Sequence, residues 1–153
     1  MGKATIDATD RKILSLLIRN ARMPFLEIAR ECGISGAAIH QRVKKMEESG
    51  VIRGFRLEVD PTALGYNVSA MIGIRINDPS MNFEIVDGLR RIPEVVECHF
   101  VTGKYNIWTR VYCVDHEHLM HTILDHILRV PGVSETETFI SLSDSFGRQV
   151  SVR

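Results

Sequence analysis

Cysteine is scarce in this 153-residue chain: only Cys32, Cys98 and Cys113 occur, with no CxxC spacing. An odd, scattered set fits reduced thiols in a cytosol better than a disulfide framework or a thiolate zinc site. No run of eighteen apolar residues is found, so no helix is expected to span a bilayer. The opening Met-Gly-Lys-Ala-Thr-Ile-Asp has no signal-peptide apolar stretch, and a cytoplasmic location is expected. The chain also lacks a phosphate-cradling glycine loop, a GxSxG elbow and an HExxH helix, so no enzyme chemistry is indicated. Cys98 and His99 are neighbours, but on a strand they would point to opposite faces. Hydrophobic residues at 44% and charged residues at 25% are the composition of a soluble globular protein, which excludes a wholly disordered or fibrous chain.

Net charge is absent too, since 19 Lys and Arg balance 19 Asp and Glu. Taken whole, that argues against nucleic acid. Split in two, the chain reads differently. Residues 1–65 hold eleven basic and eight acidic side chains, and residues 66–153 hold eight and eleven. A modestly basic first half and an acidic second half suggest two jobs in two domains.

The first half reads as helices. Asp7 and Asp10 precede the apolar run Ile13, Leu14, Leu16 and Leu17, a capping signature for a helix over about 9–20. Pro24 suits the first position of a second helix, which Gly33 ends with a left-handed cap. Ser35 caps a third helix whose Ile39, Val43 and Met46 fall on one side. Gly50 ends it. Val51 to Val59 alternates weakly and predicts a strand or β-wing before Asp60-Pro61.

Residues 61–66 read as a short linker between a domain over 1–60 and one over 67–153. In the second domain, alternation from Val68 to Ile76 predicts a half-buried strand. Phe83, Ile85, Val86, Leu89 and Ile92 have helical spacing. Strands follow over about 95–102 and 107–114, with Gly103 to Asn106 as the turn between them. Leu119, Ile123, Ile127 and Val130 make a second helical face, and 133–142 a last strand. The order is βαββαβ, so the expected fold is α+β, a winged helix-turn-helix joined to a ferredoxin-like domain.

A helix-turn-helix needs a steep crossing and a second helix with one face left for the major groove. Opposite the Ile39, Val43 and Met46 stripe lie Ala37, His40, Gln41, Lys44 and Lys45. Small Ala37 and Ala38 permit close approach. His40 and Gln41 can bond base edges, and Lys44 and Lys45 can meet phosphates or guanine. Arg42 lies on the flank, suited to a phosphate, and Arg53 and Arg56 in the expected wing could touch the backbone. Ser35 can offer a hydroxyl and the helix N-terminus. A polar face with two lysines is also what a merely solvated helix shows, and Glu47 and Glu48 could pair with those lysines.

Asp7-x-x-Asp10-x-x-Ile13-Leu14 opens a series of signatures. Gly33-Ile34-Ser35-x-x-x-Ile39-x-x-Arg42-Val43-x-x-Met46-Glu47-x-x-Gly50-Val51-Ile52-x-Gly54-Phe55 follows, then Pro61-x-x-Leu64-Gly65. The second half adds Val95-x-Glu97-Cys98-x-x-Val101-Thr102-Gly103-x-Tyr105 and Pro131-Gly132-Val133-x-x-Thr136-x-Thr138. In this order and spacing, over nearly the whole length, the chain resembles the feast/famine, or leucine-responsive regulator/asparagine regulator (Lrp/AsnC), family of prokaryotic transcription regulators.

The resemblance implies a winged helix-turn-helix that binds double-stranded DNA. It also implies a second domain that dimerises, assembles to tetramers or octamers, and senses a small effector, often an amino acid, at a subunit interface. No cofactor is expected. In the family the turn after the second strand of that domain is Gly-x-x-Asp and lies near the ligand. Here it is Gly103-Lys104-Tyr105-Asn106. Asn106 in place of Asp loses a charge for an ammonium, and Lys104 adds a positive one, which argues against a plain α-amino acid. A bare hairpin turn is the alternative reading of Gly103 and Asn106. By family position Thr122, Asp125 and His126 on the helix, and Thr136 and Thr138 on the strand, complete the candidate pocket. An effector-independent architectural regulator that wraps DNA is the alternative function. His118, His121 and Asp125 share a helix face, but three ligands on one helix rarely converge on one ion, and no metal site is assigned.

Overall fold

The computed structural model describes residues 5–153. Helices α1 (Ala8–Arg19), α2 (Phe25–Cys32) and α3 (Gly36–Glu48) come first. Strand β1 (Val68–Ile76), helix α4 (Asn82–Arg90), strands β2 (Val95–Phe100) and β3 (Ile107–Cys113), helix α5 (His116–His121) and strand β4 (Val133–Ile140) follow. Two compact units result. The first ends at Glu58 and also takes in Phe146–Arg153, and the second is Val59–Ser145. Residues 146–153 therefore fall outside the unit in which the sequence reading places them. No helix among the described residues is long and apolar enough to cross a membrane.

In the first unit Asp7 caps α1. Its carboxylate accepts from the Asp10 N–H at 2.8 Å, and Asp10 accepts from the Asp7 N–H at 3.0 Å. These reciprocal bonds satisfy donors that a helix start leaves unpaired. Pro24 stands at the cap position of α2, one residue earlier than the first helical position expected. Gly33 ends α2 at φ +67°, a conformation that costs a residue with a Cβ far more than glycine. Ser35 accepts from the Ala38 N–H at 3.2 Å and starts α3. Ile13, Leu16 and Leu17 of α1, Ile28 and Ala29 of α2, and Ile39, Val43 and Met46 of α3 form the core. Each large apolar side chain in it contributes about 1.5–3 kcal/mol relative to exposure.

The expected strand over 51–59 is absent. Those residues are not in a strand, and 53–60 are exposed. Their alternation is real, but a strand also needs a neighbour for its N–H and C=O groups. Without one, the extended backbone stays solvated.

In the second unit the strands pair antiparallel in the order β2-β3-β1-β4, the ferredoxin-like order. Ile72 of β1 faces Thr109 of β3 and Thr138 of β4, and Gly73 faces Trp108 and Glu137. Val68, Ala70, Ile72 and Ile74 point one way and pack with Ile85 and Leu89 of α4 and with Leu119 and Ile127. The opposite face carries Met71, Gly73, Trp108, Arg110 and Phe139. Cys98 pairs with Thr109 and His99 with Trp108, which places the two on opposite faces as the strand geometry requires.

The helix after β3 departs from the expected regular stripe. It continues from α5 as a π-helical turn, Thr122–His126, and a 3-10 turn, Ile127–Arg129. A π turn inserts one extra residue and rotates the faces that follow. Thr122, three residues after the buried Leu119, is fully buried, while the expected core residue Ile123 is only partly so.

Candidate functional site

Helix α3 is held at a defined azimuth by Ile39, Val43 and Met46, all at 4% exposure or less. Its other side is accessible at Ala37, His40, Gln41, Lys44 and Lys45, with Ala38 half-buried. Lys44 lies 3.8 Å from Glu48 one turn on, an exposed pairing worth little beside a phosphate. His40, Gln41 and Lys44 line a shallow depression of about 590 Å³ with Phe25, Val43, Glu47 and Phe55. The His40 ring stands edge-on to Phe25, centroids 4.5 Å apart. Arg53 is exposed.

Two of the expected DNA contacts are otherwise occupied. Arg42 Nη1 donates to Asp7 and to Asp10, at 2.7 Å each. Arg42 thus joins α3 to the α1 cap instead of standing open on the flank. The two carboxylates raise its pKa further. The Asp7 carboxyl is held below its ordinary range, first by the Asp10 N–H and then by Arg42. The Ser35 hydroxyl faces the Ala38 N–H. The signal for Arg42 was available: Asp7, Asp10 and Arg42 all stand in the same signature series, but sequence spacing cannot say that they touch.

The nine candidate effector residues do not gather in one place on this chain. Lys104 and Tyr105 lie on the sheet face away from the helices. Lys104 pairs with Glu137 and sits 5.0 Å from the Tyr105 ring centre. Tyr105, Trp108 and Phe139 form an aromatic row, with centroids 5.8 and 5.4 Å apart in turn. Gly103 turns at φ +113°. Asn106 stitches the turn to β1. Its N–H donates to the Ile74 carbonyl at 3.0 Å, and its Oδ1 accepts from the Ile76 N–H at 3.1 Å.

The other five lie elsewhere. Thr136 and Thr138 are half-buried and pair with Ile74 and Ile72, on the helix-covered face. Thr122 corrects the expectation directly. It is fully buried, and its hydroxyl donates to the His118 carbonyl at 2.8 Å, so it packs against the core and lines no surface. Asp125 is exposed and 2.8 Å from His121 Nδ1. That bond raises the His121 pKa and lowers that of Asp125. His126 is exposed. His118 turns instead to Glu94, at 3.0 Å. Among the described residues no three His, Cys, Asp or Glu side chains converge as a metal site.

Sequence reading missed Phe25, Phe55, Gly73 and Trp108. Phe25 has no role in the sequence pattern and Phe55 stands there only within a signature, although Phe55 is 48% exposed. Gly73 offered one signal, a glycine in the middle of an otherwise regular strand.

Comparison with known proteins gives these features a family. Residues 6–53 match the winged helix-turn-helix DNA-binding family, and residues 69–149 match the Lrp/AsnC ligand binding domain. Regulatory protein AsnC of Escherichia coli K12 is 36% identical over 150 residues, covering 98% of this chain and 99% of its own length. The solved structure of the E. coli protein aligns with a TM-score of 0.87 at 35% identity, over 96% of this chain and 99% of that one. A Neisseria meningitidis transcriptional regulator, solved as a complex with L-Met, aligns at 0.87 with 25% identity over 97% of each chain. A feast or famine regulatory protein from M. tuberculosis, complexed with L-methionine, aligns at 0.89 with 27% identity over 97% of this chain and all of that one. The chain belongs to the Lrp/AsnC family of transcription regulators, with a DNA-binding helix-turn-helix unit followed by a family ligand-binding domain.

Proposed function

We propose that this regulator reads operator DNA with Ala37, Ala38, His40, Gln41, Lys44 and Lys45 of α3. An amino acid acting on the second unit would modulate that binding. The observation that carries the reading is the division of α3 into a buried apolar side and an accessible side of base-edge and phosphate donors. Ser35 and Arg42 support α3 from within, and Arg53 contributes to the surrounding positive charge. A regulator that works on DNA in this way would act in the cytoplasm.

The turn at 103–106 is the candidate effector locus, through backbone amides near Gly103 and the Lys104 and Tyr105 side chains. Two neighbours in the family were solved with methionine, which makes that amino acid the first to try. A second copy of the chain fits the open sheet face, where Phe139 is 40% exposed beside Trp108. Dimers built there, and larger rings of them, suit a palindromic operator. The engagement of Asn106 by Ile76 favours a second reading, an effector-independent regulator that wraps DNA.

The test is a gel-shift titration of selected genomic fragments at several salt concentrations, with Lys44→Ala and Gln41→Ala beside the parent. Tight, salt-steep binding that shifts with one of the twenty amino acids supports the proposal. Binding insensitive to all twenty favours the second reading, and retention that ignores salt and sequence overturns both.

A further inference from the structure

Phe25 and His40 meet across the helix-turn-helix, outside the buried stripes of its core. The core is made by the apolar stripes of α1, α2 and α3. Phe25, the first residue of α2, packs partly against that core and turns its remaining edge outward. There it meets the His40 ring at 4.5 Å between centroids and 71° between planes. This edge-to-face arrangement sets the positive rim of one ring against the face of the other. His40 itself is exposed, and its sequence neighbour Ile39 is fully buried, so the backbone beneath it is anchored. The remaining freedom is the imidazole rotamer, and Phe25 is placed to remove it.

The location gives this consequence. The pair forms one wall of the depression that also holds Gln41 and Lys44 on the accessible side of α3. An imidazole there has one N–H donor and one acceptor, and in the major groove purines offer N7 as an acceptor. A histidine free to rotate would have to be ordered on binding, at a loss of about three- to tenfold in affinity. A pinned one also meets the wrong base with its donor already aimed.

We infer that Phe25 is a specificity-positioning residue: it fixes the His40 ring so that one ring N–H donates to a purine N7 in each operator half-site. The inference rests on the reading that α3 enters the major groove, and it assigns His40 to base readout and Phe25 to its orientation. Phe25 touches no DNA in this account.

The experiment is competitive selection from a randomised duplex pool by the full-length protein and by His40→Ala, Phe25→Leu and Phe25→Tyr. The selected duplexes are then titrated, including one with 7-deazapurine at the implicated position. His40→Ala should flatten preference at one position per half-site. Phe25→Leu should flatten the same position by roughly three- to tenfold, with non-specific affinity and the salt slope unchanged. Phe25→Tyr keeps a ring and should keep the preference. The deaza substitution should weaken the parent and leave His40→Ala indifferent. Phe25→Leu acting equally on all sequences, or at a different position from His40→Ala, overturns the inference and indicates a packing role. If Phe25→Leu does not fold, the deaza and His40→Ala arms still decide the readout, and Phe25→Tyr losing the preference sinks the positioning role. No enrichment by the parent overturns sequence-specific reading itself, a distinct failure.

Discussion

The Tyr105 ring lies flat against the backbone of Gly73, so close that a Cβ at position 73 would stand 2.6 Å from two ring atoms. This explains a glycine in the middle of β1, where its entropic cost and missing side chain would otherwise weaken the strand. Gly73 forms the seat of Tyr105, and Tyr105 carries the turn at 103–106 onto the open sheet face.

Gly73→Ala should therefore expel the ring or bend the strand, destabilising the second unit by about 1–3 kcal/mol. Trp108 is the only tryptophan and lies 5.8 Å from the Tyr105 ring. Its emission should move in Gly73→Ala, and urea unfolding followed at that wavelength should shift to lower midpoint. Unchanged emission and midpoint would show that the seat tolerates a methyl.

Arg42 and Lys44 are two residues apart on α3 and should behave differently. Lys44→Ala should reduce the slope of log affinity against log salt by about one unit, as loss of a phosphate contact does. Arg42→Ala should leave the slope unchanged and lower the melting temperature, because its partners are Asp7 and Asp10. The Asp7 part of that stability depends on acid. The folded carboxyl has a lowered pKa, so its contribution is complete above the ordinary value of 3.8 and disappears as pH falls through the lower folded value. Equal slopes for the two variants would return Arg42 to the DNA.

His121 and Asp125 support each other across one turn, at 2.8 Å. The His121 pKa is raised above 6.5, so its contribution is complete below that value and vanishes as pH rises through the folded pKa. The Asp125 pKa is lowered, so its contribution exists above 3.8. The pair thus acts between those limits. In Asp125→Asn the His121 ring should titrate closer to 6.5, read from its proton resonances. A pKa equal to the parent's would mean that the pair does not persist in solution.

Asn106 separates structural from ligand chemistry at the turn. Asn106→Ala leaves the half-buried Ile76 N–H without its partner, at about 1–3 kcal/mol of stability. Asn106→Asp keeps the acceptor and adds a negative charge. Stability should hold, and affinity for a free amino acid such as methionine, measured by calorimetry, should rise if its ammonium lies near this turn. An Asn106→Asp protein with unaltered affinity places the ammonium elsewhere.

Much of the site was legible from local pattern. Asp7 and Asp10, Ser35 and Gly33 announce helix ends, because capping involves residues only a few positions apart. The Ile39, Val43 and Met46 stripe fixes which side of α3 is covered, and the accessible side follows. The order of periods, helical then alternating, names both units. What failed needed distant partners. Val51–Val59 has a strand's alternation and no neighbour to pair with. Thr122 stands at pocket spacing, but it packs against Cys113 of β3 in the core.

By itself, then, the amino-acid order determined the element types, the buried stripes, the βαββαβ succession and the family signatures. All of these depend on propensity, capping and periodicity within a short stretch of chain. Tertiary structure alone decided that Arg42 belongs to Asp7 and Asp10, that Tyr105 rests on Gly73, that Phe25 meets His40, and that Thr136 and Lys104 face opposite sides of the sheet. Each is a contact between residues 15 to 35 positions apart, or a strand register, and distances of that kind arise only when the elements pack.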